Sequence, residues 1–323
     1  MTVLSYRKAV SRALADELAD DPEVFVLGED VRAGATHVTA GLHQRFGDDR
    51  VLDAPLSEQA FTSFATGAAM AGLRPVVEFA IPSLLFLVFE QIVNHAHKFS
   101  LMTGGQTRVP VTYLVTGSGS RTGWAGQHSD QPYSLFSHVG VKTVVPSTPT
   151  DAYGLLRAAI RDDDPVVVFT PAPALDWRED VELATLRLQP LGAGVVRRSG
   201  SDVTLVAIGH LLQPALSVAE ELAGRISVEV FDPRTLYPFD WDRLLESVGR
   251  TRRLVVLDDA NRANGMAAEI IASVAERLPL AAPPQRVTRP DGAVLPFADE
   301  LDRAVQPNRD QLLAAIERVM GKR

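Results

Sequence analysis

The sequence predicts an α/β protein built of two open, mostly parallel-sheet domains, and three observations carry that prediction. Short β-branched runs alternate with helical patterns along the chain. Those runs are almost wholly apolar, as expected of strands covered by helices on both faces. The chain has 323 residues, too many for one typical core and about right for two. Strand–helix alternation then favours parallel pairing, because each crossover carries a helix.

The N-terminal "MTVLSYRKAVSRALADELAD" reads as an amphipathic helix with Val10, Ala13, Leu14 and Leu18 on one face. Strands are expected at "VFVLG" (24–28), "RPVVEFA" (74–80), "VPVTYLVT" (109–116), "KTVVPS" (142–147) and "PVVVFTP" (165–171). Helical patterns such as "EQAFTSFATGAAMAG", "FEQIVNHAHKFSL" and "TDAYGLLRAAIRD" lie between them. Around 171–200 the periodicity fades into Pro, Gly and charge, the signature of an inter-domain segment. A second unit follows, with strands at "DVTLVAIG" (202–209), "ISVEVFD" (226–232) and "RLVVLDD" (253–259), and helices around "LQPALSVAEELAG", "DWDRLLESVG" and "GMAAEIIASVAERL".

Composition narrows the function. A formal net charge of −8 argues against a general binder of nucleic acid or anionic membrane. The chain has no cysteine, which removes thiolate chemistry and disulfides and leaves the cytoplasm as the default location. The longest apolar stretch, "FAIPSLLFLVF" (79–89), falls short of the ~20 residues that span a bilayer. A soluble protein is expected.

Glu58 is the first candidate site residue. It stands between a turn-like "DAPLS" and a run of small and apolar residues. A helix start stabilises an acid by ~0.3–1 kcal/mol without any function. Gly67, Ala68, Ala69, Ala71 and Gly72 would also let the helix lie close to neighbouring backbone, desolvating the acid and raising its pKa above ~4.3. His128 sits in "TGSGSRTGWAGQHSDQPY" (116–133), a loop leaving the C-terminal end of an apolar strand, the edge where open α/β sheets bind ligands. A hydrogen-bonded structural histidine and an acid–base one stand side by side as readings. His138 reads as structural, "RDDDP" (161–165) as an acidic turn, and His95 and His97 as too poorly aligned for a metal pair. Neither a P-loop nor a dinucleotide fingerprint is present.

Longer segments run in order along the chain, among them "FVLGEDV" (25–31), "RVLDAPLSEQAF" (50–61), "GAAMAGLRPVVEF" (67–79), "EQIVNHAHK" (90–98), "GQHSDQ" (126–131), "VVPSTPTDAYGLLRAAIRDDDPVVVF" (144–169) and "VEVFDPRTLYPFD" (228–240). Through these the whole chain resembles the β-subunit of the thiamine-diphosphate-dependent decarboxylase component of 2-oxo acid dehydrogenase complexes, the pyruvate, branched-chain and acetoin group. The resemblance implies a transketolase-like pyrimidine-binding domain over 1–185 and a transketolase C-terminal-like domain over 186–323. It also implies that Glu58 faces the aminopyrimidine ring and shares a proton with it, preparing the thiazolium carbon to attack a 2-oxo acid. His128 matches the family's active-site histidine. Glu29 matches an acid near the cofactor and the subunit contact. Carbonyls around Thr112, Ala159, Ile160, Asp162 and Asp164 match a potassium site.

The family's diphosphate motif, Gly-Asp-Gly followed by Asn-Asn, is missing, and in the family it belongs to the α-subunit. The resemblance therefore implies half an enzyme: an α2β2 assembly with magnesium held by the partner, and a lipoyl acyltransferase as acyl acceptor. The chain departs from the pattern at Ala80, Leu84 and Leu87, where larger or more polar residues beside the cofactor and substrate are usual. It also departs in a "GEDV" loop about one residue short and in "FTPAP" for "F-E-P-K". A more apolar pocket suits a longer or branched acyl chain, at ~0.8 kcal/mol per buried methylene. A split transketolase-like carboligase with a non-lipoyl acceptor is the alternative reading.

Overall fold

A computed structural model of the chain describes residues 2–120 and 123–321. The described residues form two compact units, one ending at Leu191 and the other running on from Gly192, with residues 123–126 grouped with the second.

Parallel strands form the sheet of the first unit, in the order Lys142–Val144, Val166–Pro171, Thr112–Ser118, Arg74–Phe79, Val24–Gly28 and Val51–Asp53. All but the edge strand Val51–Asp53 are buried over most of their length, which explains the uninterrupted apolar runs. Val24, Val26, Val76, Leu114, Val166 and Val168 point into a core closed by helices Tyr6–Asp20 and Pro149–Ile160. Their alternates Phe25, Val77, Phe79, Tyr113 and Phe169 are buried too but stand outside that cluster, as the two-residue period of a strand requires. Ser5 caps the first helix by accepting from Lys8 N. Thr148 caps the later one ahead of Pro149, a residue suited to a first helical turn. The two helices are locked by Glu17, 1% exposed, which pairs with Arg157 and with Arg161 (2.9 Å).

Helix Glu58–Met70 packs on strand Arg74–Phe79. Its fit differs from the sequence expectation. Ala65 and Ala69 are buried, whereas a Cβ at Gly67 would meet nothing within 4 Å and Phe64 is 59% exposed. Gly67 therefore buys no close approach. The helix expected over 89–101 contains a π-helical stretch, Gln91–His97, between short α-helical turns.

The second unit has the strand order Gln285–Arg289, Leu254–Asn261, Val203–Ala207, Val228–Asp232 and Val195–Arg198, parallel except for the last, which is antiparallel. The segment read as a linker thus contributes a strand to this sheet. It also contributes Arg178–Val181, which pairs antiparallel with Thr2–Ser5. No described helix is long and apolar enough to cross a membrane.

Candidate active site

In the first sheet the chain order reverses between strands Val24–Gly28 and Arg74–Phe79. From Val24–Gly28 the next strand, Val51–Asp53, is laid on one side, and later strands build out on the other. Such a switch point leaves a crevice at the carboxyl ends of the strands, where no crossover covers the edge. Glu29 follows one of the two strands directly and Ala80 follows the other. Glu58 opens the helix that follows Val51–Asp53, and the loop bearing His128 leaves Thr112–Ser118, the next strand across.

Local geometry fixes these positions. A Cβ at Gly28 would lie 2.5 Å from the Glu78 carbonyl oxygen, so glycine is required where the strand hands over to Glu29. Ala54 N donates to Gly28 O (2.8 Å) and Arg32 N to Asp53 Oδ1 (2.8 Å), binding the two strand ends together. Ser57, the helix N-cap, makes no side-chain capping bond; its hydroxyl donates to Pro55 O instead (3.3 Å). Gln59 Nε2 donates to Leu87 O (3.1 Å), joining the start of this helix to the turn Leu84–Leu87.

Burial, then the nearby Glu58 and Asp30 carboxylates, push the Glu29 carboxyl above its ordinary range. Glu29 and Glu58 are therefore electrostatic neighbours. Glu29 Oε1 is buried and has no hydrogen-bond partner among the described residues, and neither acid pairs with a cation there. A buried oxygen without a donor is costly, and like charges side by side add to that cost. Such an arrangement suits a ligand that presents N–H groups or a protonatable nitrogen.

The His128 loop is anchored at its base. Gly119 N donates to Asp130 O (2.7 Å), with Gly117 and Gly119 both at positive φ (79° and 81°). Thr170 Oγ1 donates to Val115 O (3.1 Å) beside it. Ser129 and Gln131 are buried, while His128 between Gln127 and Ser129 is partly exposed. Residues 121–122 of the loop lie outside the described residues. Ala80 and Leu84 are partly buried, whereas Leu87 is 48% exposed next to exposed Phe86. His138 ends a short helix and is exposed.

The residues matched to a potassium site lie at the opposite edge of the sheet. Thr112 begins its strand, Ala159 and Ile160 end a helix, and Asp162 and Asp164 form the turn before Val166. Two internal cations already serve that turn. Arg74 donates to the carbonyls of Ile160 (3.3 Å) and Asp162 (3.0 Å) and to the Asp163 carboxylate (2.7 Å). Lys142 Nζ donates to Asp162 (2.7 and 2.9 Å) and Asp164 (3.0 Å). Each carbonyl oxygen has a second lone pair, so a monovalent cation remains compatible with the same atoms. Burial and Asp164 act in opposite directions on nearby His97, and burial prevails, lowering its pKa. Neither Arg74 nor Lys142 is marked by local pattern as a partner of this turn, since each reaches it from the start of another strand once the sheet has formed. Among the described residues no group of three or more acids and histidines could hold a metal ion.

Fold and strand order together define a two-unit α/β protein whose first sheet has a topological switch point, the place where open α/β sheets bind ligands. Residues 2–176 match the transketolase pyrimidine-binding domain and residues 192–312 the transketolase C-terminal domain. The chain is 38% identical to the acetoin:2,6-dichlorophenolindophenol oxidoreductase subunit beta of Bacillus subtilis, over 99% of this chain and 98% of that one. It is 39% identical to the 3-methyl-2-oxobutanoate dehydrogenase subunit beta of Mycobacterium tuberculosis, over 98% and 92%. With the pyruvate dehydrogenase E1 component subunit beta of Rickettsia felis it shares 37% identity, over 98% of both. A split-gene transketolase, described as an inactive β4 tetramer, has the same fold, with a TM-score of 0.80, 22% identity and 99% of both chains covered. The chain belongs to the transketolase-like β-subunits of the 2-oxo acid dehydrogenase family.

Proposed function

We propose that this chain is the β-subunit of a thiamine-diphosphate-dependent 2-oxo acid dehydrogenase, which decarboxylates a 2-oxo acid and passes the acyl group to a lipoyl carrier. The observation that carries this reading is the unpaired carboxylate pair, Glu29 and Glu58, at the switch point of a chain similar to such subunits over its whole length.

Bound thiamine diphosphate supplies a nucleophilic thiazolium carbon and an electron sink. Glu58 holds the proton exchanged with the pyrimidine ring, at a carboxylate fixed by the helix start. Glu29 keeps a second carboxylate near it, its own carboxyl raised by burial and then by the Glu58 and Asp30 charges, so this edge favours a ligand nitrogen that carries a proton. His128 moves a proton or steadies developing charge on the substrate side, from a loop pinned by the Gly119–Asp130 bond. Ala80, Leu84 and Leu87 give the pocket wall an apolar character suited to a longer or branched acyl chain. The diphosphate and its magnesium fall to an α-subunit in an α2β2 assembly, and a lipoyl acyltransferase receives the acyl group. The potassium site stays at Thr112, Ala159, Ile160, Asp162 and Asp164, as a structural ion on carbonyls shared with Arg74. The assembly works in the cytoplasm.

Native mass spectrometry on the chain recovered from its own cells tests the assembly. An α2β2 mass carrying thiamine diphosphate is the expected result, and acyl transfer from a 2-oxo acid to a lipoyl domain should follow with that pair. A homo-oligomer free of cofactor would overturn the proposal. Acyloin formation without lipoyl transfer would replace it with the carboligase reading.

A further inference from the structure

The sheet of the second unit ends at strand Gln285–Arg289, which has a neighbour on one side only. Alternate backbone groups of an edge strand point away from the sheet and need cover. Two open clefts of about 490 and 480 Å³ border this strand. Both are lined by Arg262, Gln285, Arg286 and Arg318. Helices Met266–Arg277 and Arg309–Val319 meet the clefts with small side chains, Ala268 and Ala272 on one and Ala314 and Ala315 on the other.

The charge of this place is unbalanced. Arg286 Nη1 donates to Arg262 O (2.8 Å), which holds one guanidinium in place. Apart from that bond, the guanidiniums of Arg262, Arg286 and Arg318 have no hydrogen-bond or ion-pair partner among the described residues. One acid lines either cleft, Asp310, and it is paired with Arg309 (2.8 Å). Elsewhere in the chain many arginines are matched: Arg197 with Asp232, Arg250 with Glu229, and Arg289 on this same strand with Asp259. Three unmatched guanidiniums gathered on two adjoining clefts repel one another, in a chain whose net charge is −8. A bound anion would relieve that repulsion.

We propose that Arg262, Arg286 and Arg318 form a binding site for the diphosphate or triphosphate group of a small phosphorylated molecule. Guanidinium forks match phosphate oxygens in pairs, and three of them balance the charge of a diphosphate. Ile271 and the alanines beside them offer an apolar wall for an uncharged body. The site uses no residue of the candidate active site, so it stands or falls independently of the proposed reaction.

Isothermal titration of the full chain with inorganic pyrophosphate, free of divalent metal, tests this. Saturable binding is expected, weakened at least tenfold in a variant carrying Arg262→Gln, Arg286→Gln and Arg318→Gln. Arg286→Lys keeps the charge but loses the fork, and should weaken binding about threefold or more. Adenosine triphosphate binding at least as tightly as pyrophosphate would support an organic polyphosphate as occupant. The triple variant should unfold at the same or a higher temperature, since repulsion is relieved. Absence of binding to the native chain, undiminished binding to the triple variant, or equal binding of citrate would overturn the proposal.

Discussion

The two edges of the first sheet treat their carboxylates in opposite ways. At the N-terminal edge Asp162, Asp163 and Asp164 crowd one turn, yet Lys142 and Arg74 meet it with six hydrogen bonds to the carboxylates and to the Ile160 and Asp162 carbonyls. Burial alone would pull the Lys142 amine down, but its bonds to Asp162 and Asp164 outweigh that and raise its pKa. At the C-terminal edge Glu29 and Glu58 lie together with no cation paired to either among the described residues, and the Glu29 carboxyl is pushed up. Compensated acids hold a fold together. Uncompensated, desolvated acids at a crevice mark a place awaiting a partner.

Substitutions at the two edges should separate stability from activity. The largest effect belongs to Glu58→Gln. In the enzyme assembled with its α-subunit, turnover should fall ~10²–10⁴-fold, the range for a lost acid–base group. Its unfolding free energy should move by no more than ~0.3–1 kcal/mol, the value of an acid at a helix start. Steady-state kinetics beside urea unfolding checks both halves.

Gly28→Ala comes next. Its new Cβ meets a backbone carbonyl that cannot swing away, so overpacking should cost about 1–3 kcal/mol in urea unfolding. Glu29 would shift with it, so activity should fall as well. Lys142→Met should cost about 1–2 kcal/mol by leaving partly buried Asp162 without its cation, while the turnover of folded enzyme stays near native.

The smallest effect is the most specific to the comparison. Because the folded-state pKa of Glu29 is raised, the folded chain holds that proton more tightly than the unfolded one. Stability from this group is full below the ordinary value of 4.5 and is lost as pH rises through the raised one. Glu29→Gln removes that loss. Its stability advantage over the native chain should be absent in acid, grow through the window above 4.5, and level off beyond the raised pKa. Urea midpoints across that range read it directly.

Much of this was legible in the residues. Strand "VFVLG" occupies 24–28 as expected, and Val10, Ala13, Leu14 and Leu18 are the buried face of the first helix. Apolar runs announce buried parallel strands because nothing on them faces water. The short edge strands Thr2–Ser5, Arg178–Val181 and Val195–Arg198 carry no such run; their pairing partners are far along the chain, and local periodicity is blind to that. The π-helical stretch Gln91–His97 escaped for a different reason, since its apolar spacing resembles that of an α-helix. Of the site, Glu58 and the His128 loop were readable from turn signals and position after a strand. The coupling of Glu29 to Glu58, and the arrival of Arg74 at a turn 86 residues on, exist only once the sheet has formed.

The most direct test is an equilibrium titration of thiamine diphosphate onto the assembled α- and β-subunits, comparing the native chain with Glu58→Gln and with Asp162→Asn. If the C-terminal edge receives the cofactor, Glu58→Gln should weaken binding at least tenfold while Asp162→Asn leaves it unchanged. Equal affinity in all three would contradict the account.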